Sequence, residues 1–495
     1  MKALAMTSAA LIALGLALSA CTLRASLPPP RHPLAATPLE ALPDPPREPL
    51  EDRPFRMRLV RRELGNGFQT FISRGEQTGV VSVVFVTRAT PLWDRRAPQD
   101  VTSSMAGLML RATVGEDGEV IEDLLQSEGF SPDVSVLPGG VRVFDRVLME
   151  DLGRYLVALE RTLRHPAYRE EDLRRALDAR IELLEGHLGG VDGFIDDRMP
   201  QLLYAPDDPR GAAMQARLEV MRGLTTEALR ARHAEMLSPA HGALIIAGDV
   251  EPLGILPVVG QLFSAWPASE LQPELHGPRY PDAAPSRGIA VVEPLLRSYI
   301  KVIEQAPPLT DPDHAAFLVL EQMLGAMFAS RLNLAFREDA RVSYGFHAEY
   351  AASGTEGELA LATSVDPGAS RQVVEEVLRE LRRVRGDEEG IQELELSLAR
   401  TRARETLMAS LDTSQGLALS IAQRVMAGLD PGSIGTTLRA IDRLSADDVE
   451  AAARRWIRPD RAPLVVVGRG DVVADVMASD QVQLQAFQPP PRRRR

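Results

Sequence analysis

Histidines at short spacings are the usual source of a zinc site, and the histidines of this chain lack such a spacing. A zinc hydrolase needs three protein ligands on the metal and one open position for water. The 495-residue chain has eight histidines, and no two are three to five residues apart. They are His32, His165, His187, His233, His241, His276, His314 and His347. The sequence therefore predicts no zinc site built from paired histidines.

Other catalytic motifs are also missing from the sequence. It contains neither a G-x-S-x-G nucleophile elbow nor a G-x-x-x-x-G-K-[ST] phosphate loop. The net charge is −13, from 56 basic and 69 acidic residues, which argues against a general nucleic-acid binder. Composition is otherwise that of a globular protein, with 45% hydrophobic and 25% charged residues.

The one cysteine, Cys21, follows a segment with the layout of a secretory signal. An early Lys2 precedes an apolar run and then small residues. The sequence "LSAC" that ends at Cys21 resembles the bacterial lipobox, so we predict a signal peptide at residues 1–20 and lipid on Cys21. The absence of Asp after it resembles lipoproteins of the outer membrane. We therefore expect a lipid anchor on the periplasmic side of that membrane, followed by an extended proline-rich tether over 21–54.

The body of the chain contains one pattern twice, 220 residues apart. "SPAHGALIIAGDV" (238–250) and "RPDRAPLVVVGRGD" (458–471) share a proline, four apolar residues and a glycine. A helical pattern precedes each, with Thr225 and Ser445 as expected N-caps. A period of this length indicates a duplicated domain rather than a solenoid.

The duplication predicts two domains and a tail. We expect an N-terminal domain at 55–267, a linker at 268–287, a C-terminal domain at 288–480 and a disordered tail at 481–495. Each domain mixes strands with amphipathic helices. The predicted elements are a hairpin around Asn66-Gly67, strands at 80–89, near 288–304 and at 357–365, a hairpin over 134–149, and helices at 151–165, 168–188, 224–237, 444–457 and within 370–410.

With both halves in view, the chain resembles the pitrilysin/insulinase-type metallopeptidases and their processing-peptidase relatives. The resemblance spans roughly 55–475 and rests on "LGNGFQTFI", the two helix–strand units and "FREDARVSYGFHAEY". It implies an α+β fold of two homologous domains, each a mainly antiparallel sheet covered by helices, closing like a clamshell around a peptide chamber. It also implies zinc hydrolysis by an H-x-x-E-H helix with a further Glu.

The zinc motif is where this sequence departs from that family. Aligned with the motif, the two His positions fall on Ser103 and Gly107, and the catalytic Glu position falls on Ala106. Glu182 and Glu185 lie where the third ligand is expected, but carboxylates on a charged helix are most simply solvated surface. We therefore predict no metal or cofactor on this chain, and zinc only on a partner subunit.

Arg337 and Tyr344 match the family's R-E-x-x-G-L-x-Y segment, with Arg341-Val342 in place of Gly-Leu. The resemblance implies that this pair reaches toward substrate held at the zinc. An Arg fork can bind a peptide carbonyl or carboxylate, and a Tyr hydroxyl can donate to a developing oxyanion. The alternative is ordinary packing of a helix-end Arg and a strand Tyr.

Two functions remain open at this point. In the first, the chain is the non-catalytic subunit of a two-chain peptidase and supplies Arg337 and Tyr344 for peptide binding to a homologous subunit that carries H-x-x-E-H. In the second, it is a scaffold or peptide-binding lipoprotein without a role in proteolysis. Whether the chain is an enzyme by itself stays undecided, although the missing ligands predict no hydrolytic activity of its own.

Overall fold

The fold is built from two six-stranded sheets in one body. The computed structural model describes residues 57–75, 78–88, 99–110, 121–188, 190–269, 277–281, 287–291, 296–388 and 390–487. We refer to residues 57–269 as the first half and to 287–487 as the second half. The predicted signal peptide, Cys21 and the tether lie outside the described residues. The predicted α+β fold with two mainly antiparallel sheets is confirmed.

The sheet of the first half runs in the order β1-β2-β6-β3-β5-β4. Its strands are β1 (Val60–Glu63), β2 (Gln69–Arg74), β3 (Val80–Thr87), β4 (Asp133–Leu137), β5 (Gly140–Leu148) and β6 (Gly242–Gly248). All neighbours are antiparallel except β2 and β6. The predicted hairpin forms β1 and β2, with Gly67 at a positive φ of 86°. Such a backbone favours glycine, which explains the Asn-Gly pair at this turn.

The described part of the first half contains eight α-helices. They are α1 (Gln99–Met109), α2 (Ile121–Ser127), α3 (Leu152–Arg164), α4 (Glu170–Leu188), α5 (Val191–Leu203), α6 (Met214–Arg222), α7 (Thr226–Met236) and α8 (Pro252–Phe263). The expected N-cap of α7 is present, since the Thr225 hydroxyl accepts a hydrogen bond from the Ala228 N–H. Helices α3 and α8 cover the outer face of the sheet through a core that includes Leu156, Val259 and Phe263.

The sheet of the second half has the order β12-β7-β11-β8-β10-β9, which repeats five strands of the first sheet but has the C-terminal β12 at the edge in place of β1. Its strands are β7 (Arg287–Val291), β8 (Ser298–Ala306), β9 (Ser343–Ala352), β10 (Gly357–Val365), β11 (Leu464–Gly468) and β12 (Leu484–Phe487). Strand β11 is parallel to β7 and antiparallel to β8, as β6 is to β2 and β3. The two segments that repeat 220 residues apart therefore lie on equivalent strands, β6 and β11. This confirms the predicted duplication.

Most helices of the second half cover the outer face of its sheet and form a long apolar core. They are α9 (His314–Glu321), α10 (Arg331–Asn333), α11 (Ser370–Arg383), α12 (Glu393–Ala409), α13 (Ser414–Met426), α14 (Ser433–Arg443), α15 (Ala446–Trp456) and α16 (Gly470–Met477). Ser445 caps α15 in a full capping box with Asp448. The stretch from His314 to Asp339 is long and apolar enough to cross a membrane, but 67% of its most apolar window is buried, as in a core helix.

The two halves exchange a helix. α13, from the second half, packs on the inner face of the first sheet against β3 and β6, with Ile421 among its buried residues. α5, from the first half, packs on the second sheet, where Phe194 lies in a cluster with Val465 and Val467 of β11. Because a helix covers each face of β6 and β11, both strands are buried throughout. This explains why both strands consist of consecutive apolar residues and do not alternate between apolar and polar ones.

One sequence prediction is wrong at the C-terminus. Residues 484–487 belong to the predicted disordered tail, but they form β12, which pairs in parallel with β7. The basic "PPPRRRR" end is typical of a disordered tail. The preceding "QVQLQAF" alternates polar and apolar residues, as a strand does. Residues 488–495 lie outside the described part. The domain limits 55–267 and 288–480 stay predictions, although β7 begins at Arg287 and β12 lies beyond 480.

Candidate functional site

The three positions of the lost zinc motif lie on α1, and they differ in exposure. Ala106 is 2% exposed and belongs to an apolar cluster with Met105 and Leu108. Ser103 is half-buried and Gly107 is exposed, with open space where its Cβ would lie. Ser103 has a hydroxyl, Ala106 has a buried methyl group and Gly107 has no side chain beyond hydrogen. They do not fit a zinc ion, which is held by imidazole, thiolate or carboxylate groups.

Polar contacts hold α1 in place from the side of α6 and α7. Asp100 forms a bidentate ion pair with Arg217 of α6, with N–O distances of 2.9 and 3.1 Å. Arg232 of α7, whose side chain is 1% exposed, donates from Nε to the Thr102 hydroxyl at 2.9 Å. These contacts fix the helix as a structural element, since an unpaired buried guanidinium would be costly.

The remaining candidates for metal or nucleophile chemistry do not converge. Glu182 and Glu185 are exposed on α4, and Glu185 accepts from Arg222 at 2.7 Å, so their interpretation as solvated surface is confirmed. In the described ranges no three His, Cys, Asp or Glu side chains are grouped as metal ligands would be. Ser298 and Lys301 have S-x-x-K spacing, but both lie on β8, where side chains three apart point to opposite faces.

Arg337 and Tyr344 come together in the second half on an irregular segment between α9 and β9. After α9 the helix widens into a π-helical turn at Gln322–Ala326, and a second π-helical turn at Leu334–Asp339 carries Arg337. Such turns are rare and often occur at functional sites. Tyr344 is the second residue of β9.

Asn333 ties this segment together. Its amide nitrogen lies 3.1 Å from the Gly325 carbonyl oxygen and 3.2 Å from that of Met327, and its Oδ1 accepts from the Phe346 N–H at 2.8 Å. The side chain is 7% exposed. It therefore fixes the loop that contains Phe328 relative to β9, because its buried amide has both its donor and its acceptor satisfied.

The guanidinium of Arg337 lies against two aromatic rings. Its Cζ is 4.5 Å from the centroid of Phe328 and 5.6 Å from that of Tyr344, within the range of cation–π contact. The nearest carboxylate is that of Glu338, 3.4 Å from Nε. The Arg337 side chain is 40% exposed, and its guanidinium forms no hydrogen bond with another described residue. Most of its N–H donors are thus open to a ligand.

A β-bulge presents Tyr344 to solvent. Ser343 pairs with Val365 and Phe346 with Thr363, so Tyr344 and Gly345 together oppose a single residue of β10. The Ser343 hydroxyl lies 2.7 Å from that of Thr363 and holds the bulge. Bulges of this kind re-aim side chains. Tyr344 is 89% exposed as a result, whereas Ser343 is buried.

Arg341 has a left-handed backbone with a φ of 56°. This is the position at which the family pattern has Gly, so the departure seen in the sequence coincides with backbone strain. The Val342 N–H donates to the Phe336 carbonyl and closes the segment before β9.

Two residues of this site were missed by sequence reasoning. Phe328, which is 63% exposed, completes the surface around Arg337, and Asn333 positions it. The sequence signal for both was weak, because "LGAMFASR" stands out only as less glycine-rich than the family pattern. The arrangement as a whole can bind a carbonyl or carboxylate through Arg337 and donate one hydrogen bond from Tyr344.

Residues 223–403 match the family model described as the Peptidase M16 inactive domain. This match starts before α7, spans the junction of the halves and ends within α12, so it contains both Arg337 and Tyr344. This segment of the chain is therefore similar to the inactive domain of the M16 peptidases.

Solved structures share the fold of this chain. A protease from Helicobacter pylori has a TM-score of 0.72 at 14% identity, and the match covers 83% of this chain and 100% of that one. A peptidase M16 inactive domain from Pseudomonas fluorescens has a TM-score of 0.72 at 16% identity, covering 83% of this chain and 98% of that one. No curated protein matches the sequence.

Proposed function

We propose that this chain is the non-catalytic subunit of a two-chain M16 peptidase and contributes Arg337 and Tyr344 to a peptide held at the zinc of a homologous partner. The observation that carries the proposal is the contrast between the two halves. The motif positions on α1 offer no ligands, while Arg337 and Tyr344 lie side by side with free donors on an ordered surface. Zinc is expected only on the partner.

In this proposal Arg337 binds the peptide backbone. A guanidinium forms two parallel hydrogen bonds with a carboxylate and a planar fork with a carbonyl. The rings of Phe328 and Tyr344 restrict the rotation of the side chain, so less conformational entropy is lost when the peptide binds.

Tyr344 has the separate role of an oxyanion donor. Its phenol is almost fully exposed, so it can approach a substrate on another chain without a change of the sheet. A hydrogen bond that strengthens as the tetrahedral intermediate forms raises the turnover number rather than the affinity.

The test is peptide hydrolysis by this chain reconstituted with a homologous chain from the same genome that carries H-x-x-E-H. Tyr344→Phe keeps the ring and removes one donor, so kcat should fall, at most by about a hundred- to a thousandfold. Arg337→Lys keeps the charge and loses the fork, so KM should rise. Arg174→Lys, on an exposed position of α4, is the matched control and should leave both constants unchanged.

Zinc analysis and assembly measurements complete the test. Size-exclusion chromatography of each variant with the partner should show an intact complex, with zinc in proportion to the partner alone. Full activity of both variants in an intact complex would contradict the proposal and leave the scaffold or peptide-binding lipoprotein as the function.

We also propose that the protein is anchored by lipid on Cys21 at the periplasmic side of the outer membrane, the proline-rich tether separating the body from the bilayer. Cys21→Ser should move the protein from the membrane fraction to the soluble fraction, because a lipid chain supplies the anchor. Fractionation followed by mass spectrometry of the N-terminal peptide measures this. A Cys21→Ser protein that stays in the membrane fraction would disprove lipid anchoring.

A further inference from the structure

A cavity of about 760 Å³ lies between two equivalent hairpins of the halves. The β4–β5 hairpin of the first half forms one wall with Leu137 and Arg142, and the β9–β10 hairpin of the second half forms another with Glu356 and Glu358. α13 closes the cavity with apolar side chains that include Leu419. Its volume falls in the range of about 300–1,000 Å³ that is typical of ligand sites.

The carboxylates around the second-half wall outnumber the cations. Arg210 is 3% exposed at its side chain and contacts both Asp208, at 3.0 Å, and Glu356, at 2.9 Å. One guanidinium is therefore shared by two carboxylates. Glu358, two residues further along β10, has no ion pair within 4.0 Å among the described residues. The cation that acts on Glu358 is Lys301 of β8, whose register partner Ala362 lies four residues further along β10.

The cation on the opposite wall is engaged within its own hairpin. Arg142 lies 3.7 Å from the Asp133 carboxylate and donates to the Ser135 hydroxyl at 3.3 Å. Its ion pair thus lies within the first half. The cavity thus combines apolar walls with an excess of negative charge on one side.

The environment of the two glutamates is unfavourable for their charged forms. Burial raises the pKa of Glu358, and the neighbouring Glu356 and Glu349 raise it further, against a lowering by Lys301. Burial also raises the pKa of Glu356, while Arg210 lowers it. A cation that entered the cavity would stabilise both carboxylates, because opposite charges attract strongly where water is excluded.

We propose that this cavity binds an arginine or lysine side chain of a peptide, with Glu358 as its charge partner and the apolar wall around its aliphatic stem. A basic side chain fits both features of the cavity, since its methylenes pack on apolar surface while its head binds a carboxylate. The inference rests on the proposed function for the peptide as ligand. It adds to that function a preference for peptides with a basic residue. The cavity lies at the C-terminal end of β9, whereas Tyr344 lies near its N-terminal end.

Matched peptide pools test the preference on the full chain. Both pools contain random ten-residue peptides without acidic or basic residues, except for one central Arg in the first and the neutral isostere citrulline in the second. Fluorescence anisotropy should show at least about tenfold tighter binding of the Arg pool, as expected for one charge-assisted contact. Lowering the pH should reduce the difference, because protonation of Glu358 removes its charge.

Glu358→Gln should reduce the difference between the pools to less than about twofold. Glu393→Gln is the control, because Glu393 is exposed on α12 and does not line the cavity. Glu358→Asp, which keeps the charge, should retain part of the preference and covers the case in which the Gln variant fails to fold.

Equal binding of the two pools, or binding of neither, would overturn the inference. The turnover test of Arg337 and Tyr344 uses other residues and the reconstituted pair, so the proposed function is judged separately. A preference that persists in Glu358→Gln would also overturn the assignment of Glu358.

Discussion

At the scale of single residues, the backbone of Arg341 is strained. A side chain with a Cβ at a φ of 56° costs about 1–2 kcal/mol relative to glycine. Part of the gain from glycine is offset by the larger entropy of the unfolded chain, about 0.5–1 kcal/mol. We therefore predict that Arg341→Gly raises the free energy of unfolding by about 0.5–1 kcal/mol, measured by urea denaturation.

Arg341→Ala separates backbone strain from the loss of the arginine side chain. Alanine retains the Cβ, so it should bring no gain in stability. If alanine stabilised the protein as much as glycine, the strain at this φ would not be the cause.

At the scale of secondary-structure elements, two histidines join helices to their neighbours, the half-buried His233 and the buried His314. His233 of α7 donates from Nε2 to the Leu163 carbonyl and accepts from the Tyr168 hydroxyl at 2.9 Å. His314, at the start of α9, lies 2.9 Å from the Tyr350 hydroxyl, which itself donates to the Pro307 carbonyl. Burial lowers the pKa of His233 to about 4, and burial together with the nearby Arg424 lowers that of His314 to about 4.

These pKa values predict a loss of stability in acid. A histidine that is neutral in the fold, with a pKa of about 4, takes up a proton in the unfolded chain near pH 6.5. The unfolded state therefore binds more protons between these values, and stability falls as the pH is lowered through that window. At pH 5 each histidine should contribute a loss of about 2 kcal/mol relative to pH 7.

His233→Gln tests this prediction. The variant should be less stable than wild type at pH 7, yet lose about 2 kcal/mol less between pH 7 and pH 5. Parallel denaturation curves for wild type and His233→Gln at both pH values would contradict the proposed role of burial.

How far the sequence predicts an element depends on whether its signal is local. The helix–strand units at 224–250 and 444–471 were predictable because a cap, an apolar run and a glycine follow one another in the chain. Strand β12 was missed because it pairs only with the distant β7. Arg337 and Tyr344 were identified as a pair, but the contact with Phe328 depends on π-helical turns and on Asn333, which no periodicity reveals.

At the scale of the whole molecule, the exchanged helices couple the stability of the halves. Ile421 of α13 is fully buried against the first sheet, so Ile421→Ala should cost about 2–5 kcal/mol. Amide hydrogen exchange should accelerate in β3 and β6, which belong to the other half. Phe194→Ala in α5 should have the converse effect and accelerate exchange in β8 and β11.

The two variants serve as controls for each other. Each should leave protection of the sheet in its own half less affected than that of the opposite sheet. Faster exchange confined to the half that carries the substitution would show that the exchanged helices do not couple the sheets.

The helix exchange affects the two halves differently during synthesis, because the chain is made from its N-terminus. The first sheet is complete once Gly248 has been synthesised, but its inner face stays uncovered until α13 ends at Met426, 426 − 248 = 178 residues later. At about 5–20 residues per second this interval lasts about 10 to 35 s. The second sheet has no such delay, because α5 precedes every strand that it covers. The two halves are therefore similar in structure but differ during synthesis. The inner sheet face of the first half waits for a helix that is made later, whereas the helix for the second half is already present.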